Sequence, residues 1–177
     1  EVTSVLKFVA TQTLRETLSD VIGSLASLSK ELGKEPPVVV IDDRGILIKK
    51  QAGGLFKNVF THIFRNAVDH GIEIGDERIR LGKNPVGCIR VEASIERRSH
   101  NGRVEQGRGL CLRVLDDGRG LAIRKIRERA LDMNLINATN KFTEYQIAQL
   151  IFSSGLSTAR TTTQLSGRGV GMNAVAS

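Results

Sequence analysis

The chain has 177 residues, 40% of them hydrophobic and 25% charged, with a net charge of +7. That is enough chain for one domain with one sizeable core, and its apolar runs fall well short of the ~20 residues that span a bilayer. Two cysteines exclude a disulfide framework or a cysteine metal cluster, and 4% aromatics leave few platforms for stacking bases, so nucleic-acid binding is set aside despite the positive charge.

The start, Glu1-Val2-Thr3, shows no basic stretch followed by an apolar one, so no signal peptide is read there. A start without Met reads as an excised fragment. Leu14, Leu18, Val21, Leu25, Leu28 and Leu32 step by four and three, the stripe of an amphipathic helix. That stripe fits a dimerisation or interdomain helix, or a helix docked on the chain's own sheet. Its short length and Gly23 favour docking. Gly33 and Pro36-Pro37 end it. Val38 to Ile41 is a β-branched run and predicts a strand. Asp42-Asp43-Arg44-Gly45 is a turn, and Ile46 to Ile48 predicts a returning strand. Gly53-Gly54 precedes a helix from Leu55 to about His70, which Gly71 is placed to end. Glu73 to Pro85 predicts a charged loop with a short helical piece.

Val86 to Glu96 alternates and predicts a strand, as does Leu110 to Leu115, with a polar hairpin loop over 97–109 between them. Cys88 and Cys111 lie in these strands and read as buried small hydrophobes, compatible with a reducing cytoplasm. After the turn Asp116-Asp117-Gly118-Arg119-Gly120 comes a basic helix, about Ala122 to Met133. Thr143 can cap a further helix through Leu150. A Ser, Thr and Gly-rich stretch runs from Ser153 to Gly169, and a last helix can begin at Val170. The order predicts an α+β fold, a two-layer sandwich of a mixed sheet with helices on one face.

Three segments carry candidate chemistry. On the helix from Leu55 to His70, Phe56, Phe60, Ile63, Phe64 and Ala67 gather on one side. His62, Asn66, Asp69 and His70 gather on another, within an arc of about 100°. An Asn side-chain oxygen is a neutral, hard ligand suited to Mg2+, which keeps most of its ligands as water and phosphate. His62, one turn earlier, could hydrogen-bond a terminal phosphate or act as a base. A solvated helix face explains the same residues. In the turn after the second long strand, Asp116 could accept a hydrogen bond from an exocyclic amine, with Gly118 and Gly120 letting backbone pass close. A plain turn fits as well. Ser166-Gly167-Arg168-Gly169-Val170-Gly171-Met172 offers backbone N–H groups and a cation at a helix start, a phosphate cradle that is neither a Walker loop nor a dinucleotide fingerprint.

Together these segments resemble the GHKL ATPase superfamily, and within it the chemotaxis (CheA-type) histidine kinases. His62 to Glu73 is similar to their N box, Asp116 to Gly120 to the G1 box, Leu150 to Ala159 to the F-box region, and Ser166 to Met172 to the G2 box. Glu77-Arg78 and Gly82-Lys83 fit the loop after the N box. The resemblance runs from about Leu32 to Val175. It makes residues 1–33 a helical lead-in and 34–177 the ATP-binding catalytic domain, of the Bergerat fold, with C-terminal strands that the chain does not reach.

The resemblance further implies ATP and Mg2+ as cofactors, with Asn66 as the metal ligand and Asp69 and His70 beside the nucleotide. Asp116 would grip the adenine amine in a pocket shaped by Gly118 and Gly120. Ser157, Thr158, Gly167, Arg168, Gly169, Val170, Gly171 and Met172 would line the phosphates beneath a lid. His62, Lys125 and Arg129 would be the catalytic groups. His62 stands where hydrolytic relatives carry Glu, which implies phosphoryl transfer to histidine. Asn173 stands where the family usually has Asp. The implied acceptor is a histidine phosphotransfer domain, with a response regulator downstream. The implied setting is cytoplasmic, in a homodimeric full-length protein and with no membrane contact by this segment. A degenerate nucleotide-sensing module and an ATPase clamp are the alternatives.

Overall fold

The computed structural model describes residues 10–100, 103–137 and 139–152. The predictions at Ser157, Thr158 and from Gly167 to Met172 lie outside the described residues. The chain forms two compact units, Glu1–Gly120 and Leu121–Ser177.

In the first unit a short strand β1 (Thr11–Thr13) leads into helix α1 (Leu14–Glu31). Thr13 caps α1 and Glu16 reaches back to the Thr13 backbone, a capping box that satisfies otherwise unbonded amides. The leucine stripe does what its spacing predicts. Leu14, Leu18, Val21 and Leu25 are buried in the same cluster as the sheet residues Ile89, Val91 and Ala93, so docking on the chain's own sheet is the reading that holds.

Strand β2 (Val38–Asp42) runs parallel to β4 (Cys88–His100), which pairs antiparallel with β5 (Arg103–Asp116), giving a mixed sheet of order β2-β4-β5. Strand β3 (Leu47–Lys49) does not return along β2; it pairs antiparallel with β1 in a separate two-stranded sheet. The register between them, with Gln12 opposite Ile48, is a long-range pairing that local periodicity does not reveal. The polar stretch read as a loop between the long strands is mostly strand. Pairing continues from Ile89↔Asp116 through Arg97↔Arg108 and on to His100↔Arg103.

Alternation gives the sheet two faces. Val39, Ile41, Ile89, Val91, Ala93, Leu110, Leu112 and Val114 belong to the core that α1 and α2 (Gly53–Asn66) cover. Arg90 and Arg113 lie on the opposite, exposed side. Cys88 and Cys111 share that outer side and are only half-buried, unlike the buried residues their apolar neighbours predict. On α2, Phe60 and Phe64 are fully buried and meet edge to face, with centroids 5.4 Å apart. After α2 come helix α3 (Gly75–Arg80) and then β4 and β5.

The second unit contains α4 (Ile123–Asp132) and α5 (Glu144–Gln149), the latter capped by Thr143 with Gln146 closing a capping box. Ile126, Ala130, Ile136 and Ile147 form its own small core.

Because Phe64 has no exposed surface, Phe64→Ala leaves a cavity beneath the site-bearing helix. It is expected to lower unfolding free energy by about 3–5 kcal/mol in urea titrations.

Candidate nucleotide site

Helix α2 carries the candidate metal ligand. Its apolar side is drawn into the core by Phe60 and Phe64, which turns His62 and Asn66 to a partly buried flank. The predicted helix to His70 ends differently from expectation. Regular α-helix stops at Asn66, and Ala67–Gly71 forms a wider π-turn closed by Ile72 N donating to Ala67 O at 2.7 Å. Such single π-turns recur at functional sites. Asp69 and His70 sit in this turn, Asp69 half-buried and His70 exposed, with His70 Nδ1 3.6 Å from Asp69 Oδ1.

Gly71 closes the turn for a reason other than a left-handed dihedral. A Cβ there would stand 3.2 Å from Asp116 Oδ1. Gly118 is tighter still, for its Cβ would fall 2.3 Å from Gly71 O and 2.8 Å from Asp116 Oδ1. Arg119 N donates to Gly71 O at 2.9 Å and Gly118 N donates to Asp116 Oδ1 at 3.0 Å. The turn after α2 and the Asp-Asp-Gly turn are thus in backbone contact, which requires glycine at 118 and leaves little room for a side chain at 71. Gly120 differs, adopting φ +69°, a conformation that glycine takes at little cost.

The two aspartates of the turn have separate work. Asp116 is paired opposite Ile89 and so lies on the helix-covered side of the sheet. Its Oδ1 is taken by Gly118 N, while its Oδ2 accepts no hydrogen bond from a described residue. Asp117 is fully engaged: Oδ1 accepts from Cys88 N at 2.8 Å and Oδ2 from Arg78 Nη2 at 2.7 Å. Arg78 has no exposed surface. Its Nε donates to Asn84 O at 2.6 Å, and its Nη1 to Glu73 Oε2 at 3.0 Å and Asp117 O at 3.3 Å. Lys83 Nζ completes the cluster on Glu73 Oε1, Asp117 O and Gly118 O at 2.8, 3.0 and 2.9 Å. Burial alone would raise the Glu73 carboxyl, but the Lys83 hydrogen bond and the charges of Lys83 and Arg78 hold it below its ordinary value.

This cluster is what sequence reasoning missed. Arg78 and Lys83 were legible as parts of a charged loop, but nothing in their spacing shows that an arginine there is buried.

Asp116 is solvent-exposed, and a carboxylate oxygen at a strand end can accept a hydrogen bond from an exocyclic amine. Asn66 offers a neutral oxygen that could hold a magnesium ion. Among the described residues no group of three or more His, Cys, Asp or Glu converges on one point, and an ion shared between Asn66 and phosphates does not need one. Lys125 and Arg129 lie one turn apart and exposed on α4, in the second unit.

Known proteins resemble the chain along most of its length. It is 35% identical over 154 residues, 86% of its length, to the gliding motility regulatory protein of Myxococcus xanthus. It is 34% identical over 148 residues, 84% of its length, to the chemotaxis protein CheA of Salmonella typhimurium. The chain belongs to the CheA family. The chemotaxis protein CheA of Rhizobium meliloti is 40% identical over 115 residues, 65% of the chain. The chain spans 14% to 20% of the length of these three relatives. No family model matches it. A match that spans 84% of the chain must extend across residues 66 to 118, so the likeness to the Salmonella CheA takes in both the π-turn and the Asp-Asp-Gly turn.

The depressed Glu73 value fixes a sign. Its stabilisation is present above the ordinary glutamate value of 4.5 and is lost as pH falls through the lower folded value. Stability of the parent chain is therefore expected to fall more steeply below that pH than that of Glu73→Gln, measured by denaturant titration across the acid range.

Proposed function

We propose that this segment binds ATP with Mg2+ and transfers the terminal phosphate to a histidine on a separate phosphotransfer domain, as a CheA-like histidine kinase domain. The observation that carries the reading is Asp116. It stands at the end of β5 on the helix-covered side, against the Gly71 and Gly118 backbones, with one carboxylate oxygen accepting no hydrogen bond from a described residue. Membership of the CheA family supports the kinase assignment.

In this reading Asp116 accepts the adenine amine, and Asp69 and His70 border the nucleotide. Asn66 holds Mg2+, which when bound neutralises phosphate charge. Lys125 and Arg129 add cations, an assignment that rests on the family resemblance. So does the phosphate cradle of Ser157, Thr158 and the segment from Gly167 to Met172. The acceptor imidazole is itself nucleophilic, so no strong base is required. Its nitrogen bonds to the γ-phosphorus as the bond to the β–γ bridging oxygen breaks, and ADP leaves. His62, rather than an acidic residue, one turn before Asn66 favours this transfer over hydrolysis by activated water. A phosphotransfer domain and a response regulator are the proposed partners, in a cytoplasmic, homodimeric full-length protein.

Radiolabel transfer from ATP to a supplied CheA phosphotransfer domain tests the reading. Asn66→Asp is expected to cut transfer by about 100-fold or more and to alter its Mg2+ dependence. Unchanged transfer would remove Asn66 from the metal role, and no transfer by the parent chain would remove the kinase assignment.

A further inference from the structure

Lys34 lies far in sequence from every residue assigned above, yet its ammonium reaches the turn on which the nucleotide site is built. Nζ donates to Val68 O at 2.6 Å, to Asp69 O at 2.8 Å and to Ile72 O at 2.8 Å. Carbonyls at a helix C-terminus lack intrahelical partners and carry partial negative charge. A three-donor point cation suits a cluster of them better than a planar guanidinium would.

The position of Lys34 is itself fixed. Helix α1 ends with Gly33 at φ +64°. Gly33 N donates to Lys30 O at 3.2 Å and Lys34 N to Ser29 O at 2.9 Å. These two bonds are the Schellman arrangement that turns a chain sharply off a helix end. The lysine therefore leaves the core-packed helix α1 along a set direction and ties it to the π-turn. Partial burial lowers the Lys34 ammonium from its ordinary value, partly offset by the nearby Asp69 charge, so the three carbonyls replace water it has lost.

We propose that Lys34 is a positioning residue for the nucleotide site. By holding three carbonyls of 68–72 it fixes the height of Gly71, and Gly71 sets where Asp116 and Gly118 rest. Lys34 touches no substrate in this account. It acts through the backbone, and it makes α1 a mechanical support of the purine pocket. The inference rests on the nucleotide-binding reading above for its ligand, but its structural half stands apart from it.

The test uses the 177-residue chain with three variants, Lys34→Met, Lys34→Arg and the core control Leu25→Ala, each at a temperature where thermal melts show it folded. ATP binding in Mg2+ is read by calorimetry, and amide hydrogen exchange is read at Val68 to Gly71. Lys34→Met is expected to weaken ATP binding about tenfold and to speed exchange in the turn. Lys34→Arg keeps the cation and should recover much of both, while Leu25→Ala should bind ATP like the parent despite its lower melting temperature. Parent-like affinity in Lys34→Met would overturn the proposal, as would an affinity loss in Leu25→Ala matching its melting loss. If the parent itself binds no ATP, the nucleotide reading fails instead. Exchange then decides alone, and protection in Lys34→Met equal to the parent's would overturn the positioning role.

Discussion

Arg78 can be buried only while Glu73, Asp117 and the Asn84 carbonyl hold it, because an uncompensated guanidinium in the interior costs several kcal/mol. That requirement locks the segment after α2 onto the turn after β5. Lys83 reinforces it by bonding Glu73 and the carbonyls of Asp117 and Gly118. One consequence is chemical. Asp117 is fixed to Arg78 and to the Cys88 amide, so of the two adjacent carboxylates only Asp116 keeps an oxygen that no described residue bonds. The ion cluster and the Asp116 carboxylate are one construction seen from two sides of the sheet.

Sheet alternation and helix geometry do the rest. The odd-numbered β4 residues Ile89, Val91 and Ala93 are buried under α1 and α2, which places Asp116, opposite Ile89, on the covered side. The π-turn widens the end of α2 enough for Gly71 to meet Gly118 backbone to backbone. Each glycine has its own reason. At 71 and 118 the reason is distance, and at 120 it is a left-handed dihedral.

Much of this was legible from residues alone. The leucine stripe of α1, the helix around Phe60 and Phe64, the alternating cores of β4 and β5 and the Thr143 cap all follow from local periodicity and capping chemistry. Asp116 could be singled out from Asp117 only by position, and its register opposite Ile89 now supplies the physical reason. What could not be read were the long-range features. The pairing of β1 with β3, the extension of the β4–β5 hairpin through a polar stretch, and the burial of Arg78 depend on partners up to 39 residues away. A charged loop and a buried ion cluster have the same composition; only the fold distinguishes them.

The proposed function turns on Asp116 recognising an exocyclic amine. Calorimetric titration of the chain with ATP and with ITP, each in Mg2+, addresses it most directly, since ITP differs by carrying a carbonyl where adenine carries its amine. A carboxylate oxygen that accepts that amine should favour ATP by about tenfold, because the carbonyl of ITP leaves two acceptors opposed and Asp116 is solvent-exposed. Equal affinities for the two nucleotides would contradict the account.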